Sequence, residues 1–119
     1  MNQHEKINYL EFPCKDIEAS KRFFTAVFGW SFTDYGPEYA AFTKQDAGMD
    51  GGFYQSDLSA TTENGSALAV FYSENLAQTQ RKIEKEGGKI IKAIFAFPGG
   101  HRFHFSDPSD NEYAMWSDQ

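Results

Sequence analysis

The chain contains one cysteine, three histidines and four prolines in 119 residues. A lone thiol, Cys14, cannot close an internal disulfide, which excludes a disulfide-stapled scaffold and fits a reducing, cytoplasmic setting. Positive charge is the scarcer sign, with 11 Lys and Arg against 17 Asp and Glu and a net charge of −6. That balance argues against nucleic acid or an anionic membrane as the main partner. Long apolar runs are missing too. None approaches the ~18 residues of a membrane span, and the opening "MNQHEKINYLEF" has no apolar signal core.

What is present points to a packed globule. Hydrophobic residues make up 40% of the chain and twelve are Phe, a composition that excludes general disorder. A chain of this length buries roughly two thirds of its unfolded surface, so one domain over residues 1–119 is expected.

The same plan occurs twice along the chain. "INYLEF" (7–12) is rich in β-formers and stops at Pro13, and Asp16 is a good N-cap for a helix running to about Phe28. Ile17, Phe24, Val27 and Phe28 recur on one face of that helix, and Gly29 ends it. Three short strands follow: "WSFTDY", "YAAFTK" and "GGFYQ". After the polar connector 56–66, "ALAVFYS" reads as a strand, and Asn75 with Gln78 as a capping box. A helix with Leu76 and Ile83 inward then runs to Gly87-Gly88, and "KIIKAIFAF", "RFHFS" and "EYAMWS" supply three more strands. An offset of 59 places Asp16 on Asn75 and Gly29 on Gly88. Near the module ends an offset of 61 places "GGFYQSD" on "EYAMWSD". The expected fold class is α+β: two βαβββ modules (about 5–57 and 66–118) forming a half-open eight-stranded cup with helices outside. A ferredoxin-like α+β sandwich is the competing architecture.

Strand side chains alternate, so one face meets the helices and the other lines the cup. Leu10 and Phe12 suit the helix side and leave Tyr9 and Glu11 in the cup. Phe103 and Phe105 do the same for Arg102, His104 and Ser106. Tyr113 and Met115 oppose Glu112, Ala114 and Trp116. The 59-residue shift pairs Tyr9 with Leu68, adding Leu68 and Val70 to the cup.

"HRFHFSDPSDNEYAMW" (101–116) looks at first like a metal or catalytic cluster. His101 and His104 are three apart, so in an extended strand they face opposite ways and cannot share an ion. Asp107, Pro108, Ser109 and Asp110 have good turn chemistry. The stretch reads mainly as a hairpin, with its aspartates as turn-formers. His4 and His101 are expected to face solvent, and Cys14 to be an unreactive thiol, since no partner His is identifiable. "KQDAGMDGG" lacks the alternating ligands and terminal Glu of a calcium loop.

"NYLEFPCKDIEASKRFFTAVFGW" and "FHFSDPSDNEYAMW" together resemble the vicinal oxygen chelate superfamily of glyoxalase I, bleomycin-resistance proteins, fosfomycin-resistance enzymes and extradiol dioxygenases. The resemblance covers nearly the whole chain and is nearest to its small two-module, glyoxalase-like members. "DPSDN" departs from the commoner DP-x-G-N turn by placing Asp110 where Gly usually sits. A positive φ there would be strained, though Asp tolerates it better than most residues. The resemblance implies paired subunits, hence a homodimer. It also implies that catalytic members hold a divalent ion with His, Glu or Gln from four cup strands. Carried across by motif, those positions fall on Tyr9, Phe53, Leu68 and Ala114. Phe, Leu and Ala have no donor atom, and Tyr would have to ionise from a pKa of about 10. A one-residue slip would bring in Asn8, Ala67 and Tyr113 without restoring a ligand set. No metal and no other cofactor is expected.

The candidate ligand-binding residues are therefore Tyr9, Glu11, Phe53, Leu68, Arg102, His104, Ala114 and Trp116. In fosfomycin-resistance relatives the positions matching Glu11 and His104 contact substrate, which makes those two the candidate catalytic pair. A carboxylate and an imidazole facing one pocket can transfer protons, and Arg102 can hold an anionic group. The competing reading pairs Glu11 with Arg102 as an internal salt bridge and leaves His104 as a hydrogen-bonder. Tyr9, Phe53 and Trp116 wall a pocket for a flat ligand or, equally, belong to the core or a dimer contact. Three functions follow: a metal-independent small-molecule-binding protein, which the residues favour; a glyoxalase-like lyase or isomerase; and a protein-interaction module that keeps only the fold. The alternative enzyme works without metal through Glu11 and His104, or with metal ligands lying elsewhere.

Overall fold

The computed structural model describes residues 2–119. The first module contains β1 (Tyr9–Cys14), α1 (Ile17–Phe28), β2 (Thr33–Asp34), β3 (Tyr39–Phe42), α2 (Lys44–Ala47) and β4 (Asp50–Gln55). The second contains β5 (Ala69–Tyr72), α3 (Leu76–Lys85), β6 (Lys89–Phe97), β7 (Gly100–Ser106) and β8 (Glu112–Ser117). Each module makes one open four-stranded sheet, in the orders β1-β4-β3-β2 and β5-β8-β7-β6. The first and last strands of each module run parallel, and the other neighbours are antiparallel. The fold is α+β, with eight strands in two open sheets and the two longer helices packed on their apolar faces.

Local chemistry sets the helix ends. The Asp16 carboxylate accepts the Ala19 N–H at 3.1 Å, and Gly29 closes α1 in the left-handed region at φ 74°. The Asn75 side chain accepts the Gln78 N–H at 3.1 Å, and α3 ends at Lys85, just before Gly87 at φ 96°. Two segments differ from expectation. "WSFTDY" keeps only Thr33 and Asp34 in a strand, because Trp30 turns into the core and its carbonyl accepts the Thr25 hydroxyl at 2.7 Å. "YAAFTK" stops being strand at Phe42, where Thr43 caps the single turn of α2.

An aromatic cluster joins the modules. The ring of Phe24 on α1 lies 4.8 Å from Trp30, 5.1 Å from Phe53 and 5.7 Å from Tyr113 of the second sheet. Phe28 stacks on Phe71 at 5.1 Å, and Phe12 meets Tyr113 edge-on at 5.5 Å. Burying one such ring stabilises by about 1.5–3 kcal/mol.

One expectation is corrected here: Phe53 does not line the cup. In the parallel pairing of β1 with β4 it lies opposite Phe12, while Glu11 lies opposite Gly52. Phe71 and Met115 are partners in the second sheet just as Phe12 and Phe53 are in the first. The offset at the module ends is thus 62, not 61, and one residue of slip moves every side chain to the other face. Phe53 is fully buried against Phe12, Phe24 and Phe42. Phe53→Ala is expected to cost about 3–5 kcal/mol, as a lowered urea midpoint. A change under about 1 kcal/mol would return Phe53 to an exposed face, since surface substitutions rarely exceed that.

Candidate functional site

The sheet faces away from the helices carry the remaining candidates. In the first sheet Tyr9, Glu11, Gly52 and Tyr54 share this open face by alternation, with Tyr39 opposite Tyr54. Tyr39 donates its hydroxyl to Glu11 Oε2 at 2.9 Å, and its oxygen lies 2.6 Å from Tyr9 Oη. Because the Tyr39 O–H points to Glu11, Tyr9 is the donor of the second bond. Burial, then the bonds to Tyr9 and Glu11, push the Tyr39 phenol well above its ordinary value, so it stays neutral. A Cβ at Gly52 would strike the Tyr39 hydroxyl, so any larger residue there would displace that ring from Glu11.

In the second sheet Val70, Arg102, His104, Glu112, Ala114 and Trp116 share the open face. His104 is buried, and both its ring nitrogens are engaged. Nδ1 lies 2.7 Å from Glu112 Oε2, and Nε2 lies 2.9 Å from an Arg102 guanidinium nitrogen. A guanidinium only donates. Nε2 therefore accepts from Arg102, and the imidazole proton sits on Nδ1 and is donated to Glu112. The other Glu112 oxygen accepts the Thr62 N–H at 2.9 Å and the Thr62 hydroxyl at 2.8 Å. Burial alone would raise the Glu112 carboxyl, but the bonds from His104 and Thr62 outweigh it and hold the carboxyl below its usual range.

This relay aims Arg102 at a hollow of about 320 Å³ lined by Val70, Phe97, Pro98, Gly99, Arg102 and Trp116. The guanidinium carbon lies 5.9 Å from the Phe95 ring centre and 5.8 Å from that of Phe97. Cation–π attraction at those distances contributes about 0.5–1 kcal/mol per ring. Trp116 meets Phe97 at 6.2 Å and Tyr72 at 5.2 Å, giving the hollow aromatic walls.

The predicted residues thus separate into two groups. Arg102, His104, Ala114 and Trp116 lie together on the second sheet, with half-buried Leu68 just ahead of β5. Tyr9 and Glu11 form their own cluster on the first sheet. The Glu11–Arg102 salt bridge is not formed: Glu11 bonds Tyr39, Arg102 bonds His104, and neither appears in an ion pair among the described residues. Two partners went unassigned in the sequence. Glu112 was legible as facing His104 by alternation, whereas Thr62 comes from the connector and left no periodic signal.

With Gly52 in place of Phe53, the positions at which catalytic relatives hold a metal become Tyr9, Gly52, Leu68 and Ala114. The three beyond Tyr9 have no side-chain donor, and Tyr9 gives its proton to Tyr39. Among the described residues no group of three or more His, Cys, Asp or Glu is placed to hold an ion. These residues do not fit a divalent metal.

The "DPSDN" turn is built around Asp107. Its Oδ1 accepts the N–H groups of Ser109 and Asn111, and its Oδ2 accepts from the Tyr113 hydroxyl and the Asn111 amide. Asp110 takes φ 65°, the strained conformation that Gly would relieve. Cys14 is fully buried, and that burial pushes its thiol up, away from reactivity. His4 and His101 are exposed.

A sequence profile of the Glyoxalase/Bleomycin resistance protein/Dioxygenase superfamily matches residues 6–115. The chain belongs to that superfamily. Comparison with curated proteins finds no match. Among solved structures, this glyoxalase-superfamily chain is similar to a glyoxalase/bleomycin resistance protein/dioxygenase family enzyme of Burkholderia phytofirmans. The TM-score is 0.77 at 17% identity, over 94% of this chain and 98% of that one. It is also similar to the fosfomycin resistance protein FosX of Listeria monocytogenes, with a TM-score of 0.76 at 14% identity over 98% and 96% of the two chains. A mutant of the Listeria protein, complexed with Mn(II) and 1S,2S-dihydroxypropylphosphonic acid, matches with a TM-score of 0.77 at 16% identity over 96% and 90%. At these identities the likeness is one of fold.

Burial pushes the Asp107 carboxyl up to about 6, outweighing the bonds that favour its anion. Folding therefore favours the protonated form. The contribution is complete below the unfolded value near 4 and is lost as pH rises through about 6. Relative to Asp107→Asn, which does not titrate, the wild type should lose roughly 2 kcal/mol between pH 4 and pH 7. Urea denaturation at the two pH values measures this, and a difference that does not change with pH contradicts it.

Proposed function

We propose that this glyoxalase-superfamily chain is a metal-independent small-molecule-binding protein that takes an aromatic or anionic compound on its open sheet face. The observation that carries the reading is Arg102, positioned by the His104–Glu112–Thr62 relay at the mouth of a hollow walled by Phe97 and Trp116. A guanidinium fixed in advance loses little freedom when it grips a carboxylate or phosphonate, and the flanking rings accept a flat body. The substitutions at the superfamily's metal positions support the metal-independent half.

The alternative, a glyoxalase-like lyase or isomerase, is supported by the fold it shares with FosX. Proton transfer at His104 would first require Arg102 to leave Nε2, and Glu11 lies in a separate cluster. We also propose a homodimer, supported by the exposed Ile91 and Ile94 on edge strand β6, and a reducing, cytoplasmic setting, supported by buried, unpaired Cys14.

A thermal-shift screen of aromatic carboxylates and phosphonates tests the binding reading. A ligand at about 100 times its Kd should add about 2.7 kcal/mol of stability. Arg102→Ala should weaken any anionic hit about tenfold or more, since one charge-assisted contact is worth at least that. Hits indifferent to Arg102→Ala would move the site elsewhere, and stoichiometric Zn, Ni, Mn or Fe in untagged protein would refute metal independence. Sedimentation velocity should give a dimer of the 13.5 kDa chain; a monomer at high concentration removes that part of the proposal.

A further inference from the structure

A second hollow, of about 460 Å³, opens along edge strand β5, where the modules meet, and a neighbouring one of about 320 Å³ adjoins it. Both are lined by Trp30, Ala47, Gly48, Val70 and Phe71, so they form one crevice. It lies between β1 and β5, each an edge of its own sheet with no strand beyond it. Val70 borders both this crevice and the Arg102 hollow, but the walls differ.

The two limbs of the crevice have different chemistry. One is apolar, with Leu10, Phe12, Phe42 and Met49. The other carries Ser73, Thr79 and Lys82. Thr79 and Lys82 are three apart and so project from one face of α3. The Thr79 and Ser73 hydroxyls lie 2.7 Å apart. Lys82 is exposed and forms no ion pair among the described residues. Asp46 also lines this limb, and its carboxylate already accepts the Ser31 N–H and hydroxyl. The floor is aromatic, with Trp30 nearly parallel to Phe71 at 17°. A ligand that satisfies both limbs has an apolar body and a negative head, and these volumes fall in the range of small-molecule sites.

We infer that the crevice binds an anionic amphiphile, its alkyl or aryl body against Trp30 and Phe12 and its carboxylate or sulfonate beside Lys82. The inference is independent of the open-face reading. Dodecanoate, below its micelle concentration, is the probe. In Trp116→Phe the sole indole is Trp30, and its emission should shift saturably. Lys82→Glu, a change at an exposed position, should weaken that binding about tenfold or more, and dodecyltrimethylammonium should bind weaker than dodecanoate by a similar factor. In Trp30→Phe, dodecanoate should leave the emission of Trp116, on the open face, unchanged. No shift at Trp30, equal affinity in Lys82→Glu, equal binding of the cationic chain, or a shift confined to Trp116 would each overturn the inference.

Discussion

Phe24 is the point at which the two modules become one body. Each βαβββ unit has only about fifty residues, near the size at which one core barely sustains a fold. Phe24 projects from α1 of the first module and touches Phe53 of its own sheet and Tyr113 of the other. Phe28 repeats this one turn later, against Phe71 and Phe105. The apolar faces of both sheets therefore drain into one aromatic core, and the polar faces are turned outward together.

A polar counterpart fixes the register of that junction. The Asn111 amide donates to the Pro13 carbonyl at 2.6 Å, and the Lys15 N–H reaches the Ser109 hydroxyl, tying the end of β1 to the turn before β8. Asp107 orients Asn111 and also holds the Tyr113 hydroxyl. Tyr113 inward means Glu112 and Ala114 outward, which delivers the Glu112 carboxylate to His104. The site thus inherits its geometry from the core through alternation along β8. Slip β8 by one residue and Glu112 would enter the aromatic core while Tyr113 faced His104.

Local signals in the sequence resolved most of the fold. Asp16, Asn75 and Gly29 act within one helical turn, so their roles are readable without knowing any distant contact. Alternation likewise assigned the faces of β1, β7 and β8, and with them Arg102, His104 and Trp116. Phe53 was misplaced because its face depends on the register of β4 against β1, which a repeat of low identity cannot fix to one residue. The Thr62 bond to Glu112 was invisible for a related reason: it spans fifty positions and arises from a connector with no periodicity. The short α2 was hidden by β-forming neighbours, Thr43 acting as a cap where it had been read as strand.

The superfamily scaffold does not decide between binding and catalysis, since one fold hosts many chemistries. The resting hydrogen bonds of this chain leave neither His104 nitrogen free, which supports the binding reading proposed above. Arg102 occupies the only imidazole nitrogen able to take a proton, and Glu112, on the other nitrogen, is itself committed to Thr62. Such a relay holds a guanidinium still beside Phe95 and Phe97 but offers no vacant base of its own to the hollow. For His104 to act in proton transfer, Arg102 would have to give up both its bond and its position, leaving a buried imidazole nitrogen unpartnered at a cost of about 1–3 kcal/mol. An anion that engaged the outer edge of Arg102 would instead leave every bond of the relay intact.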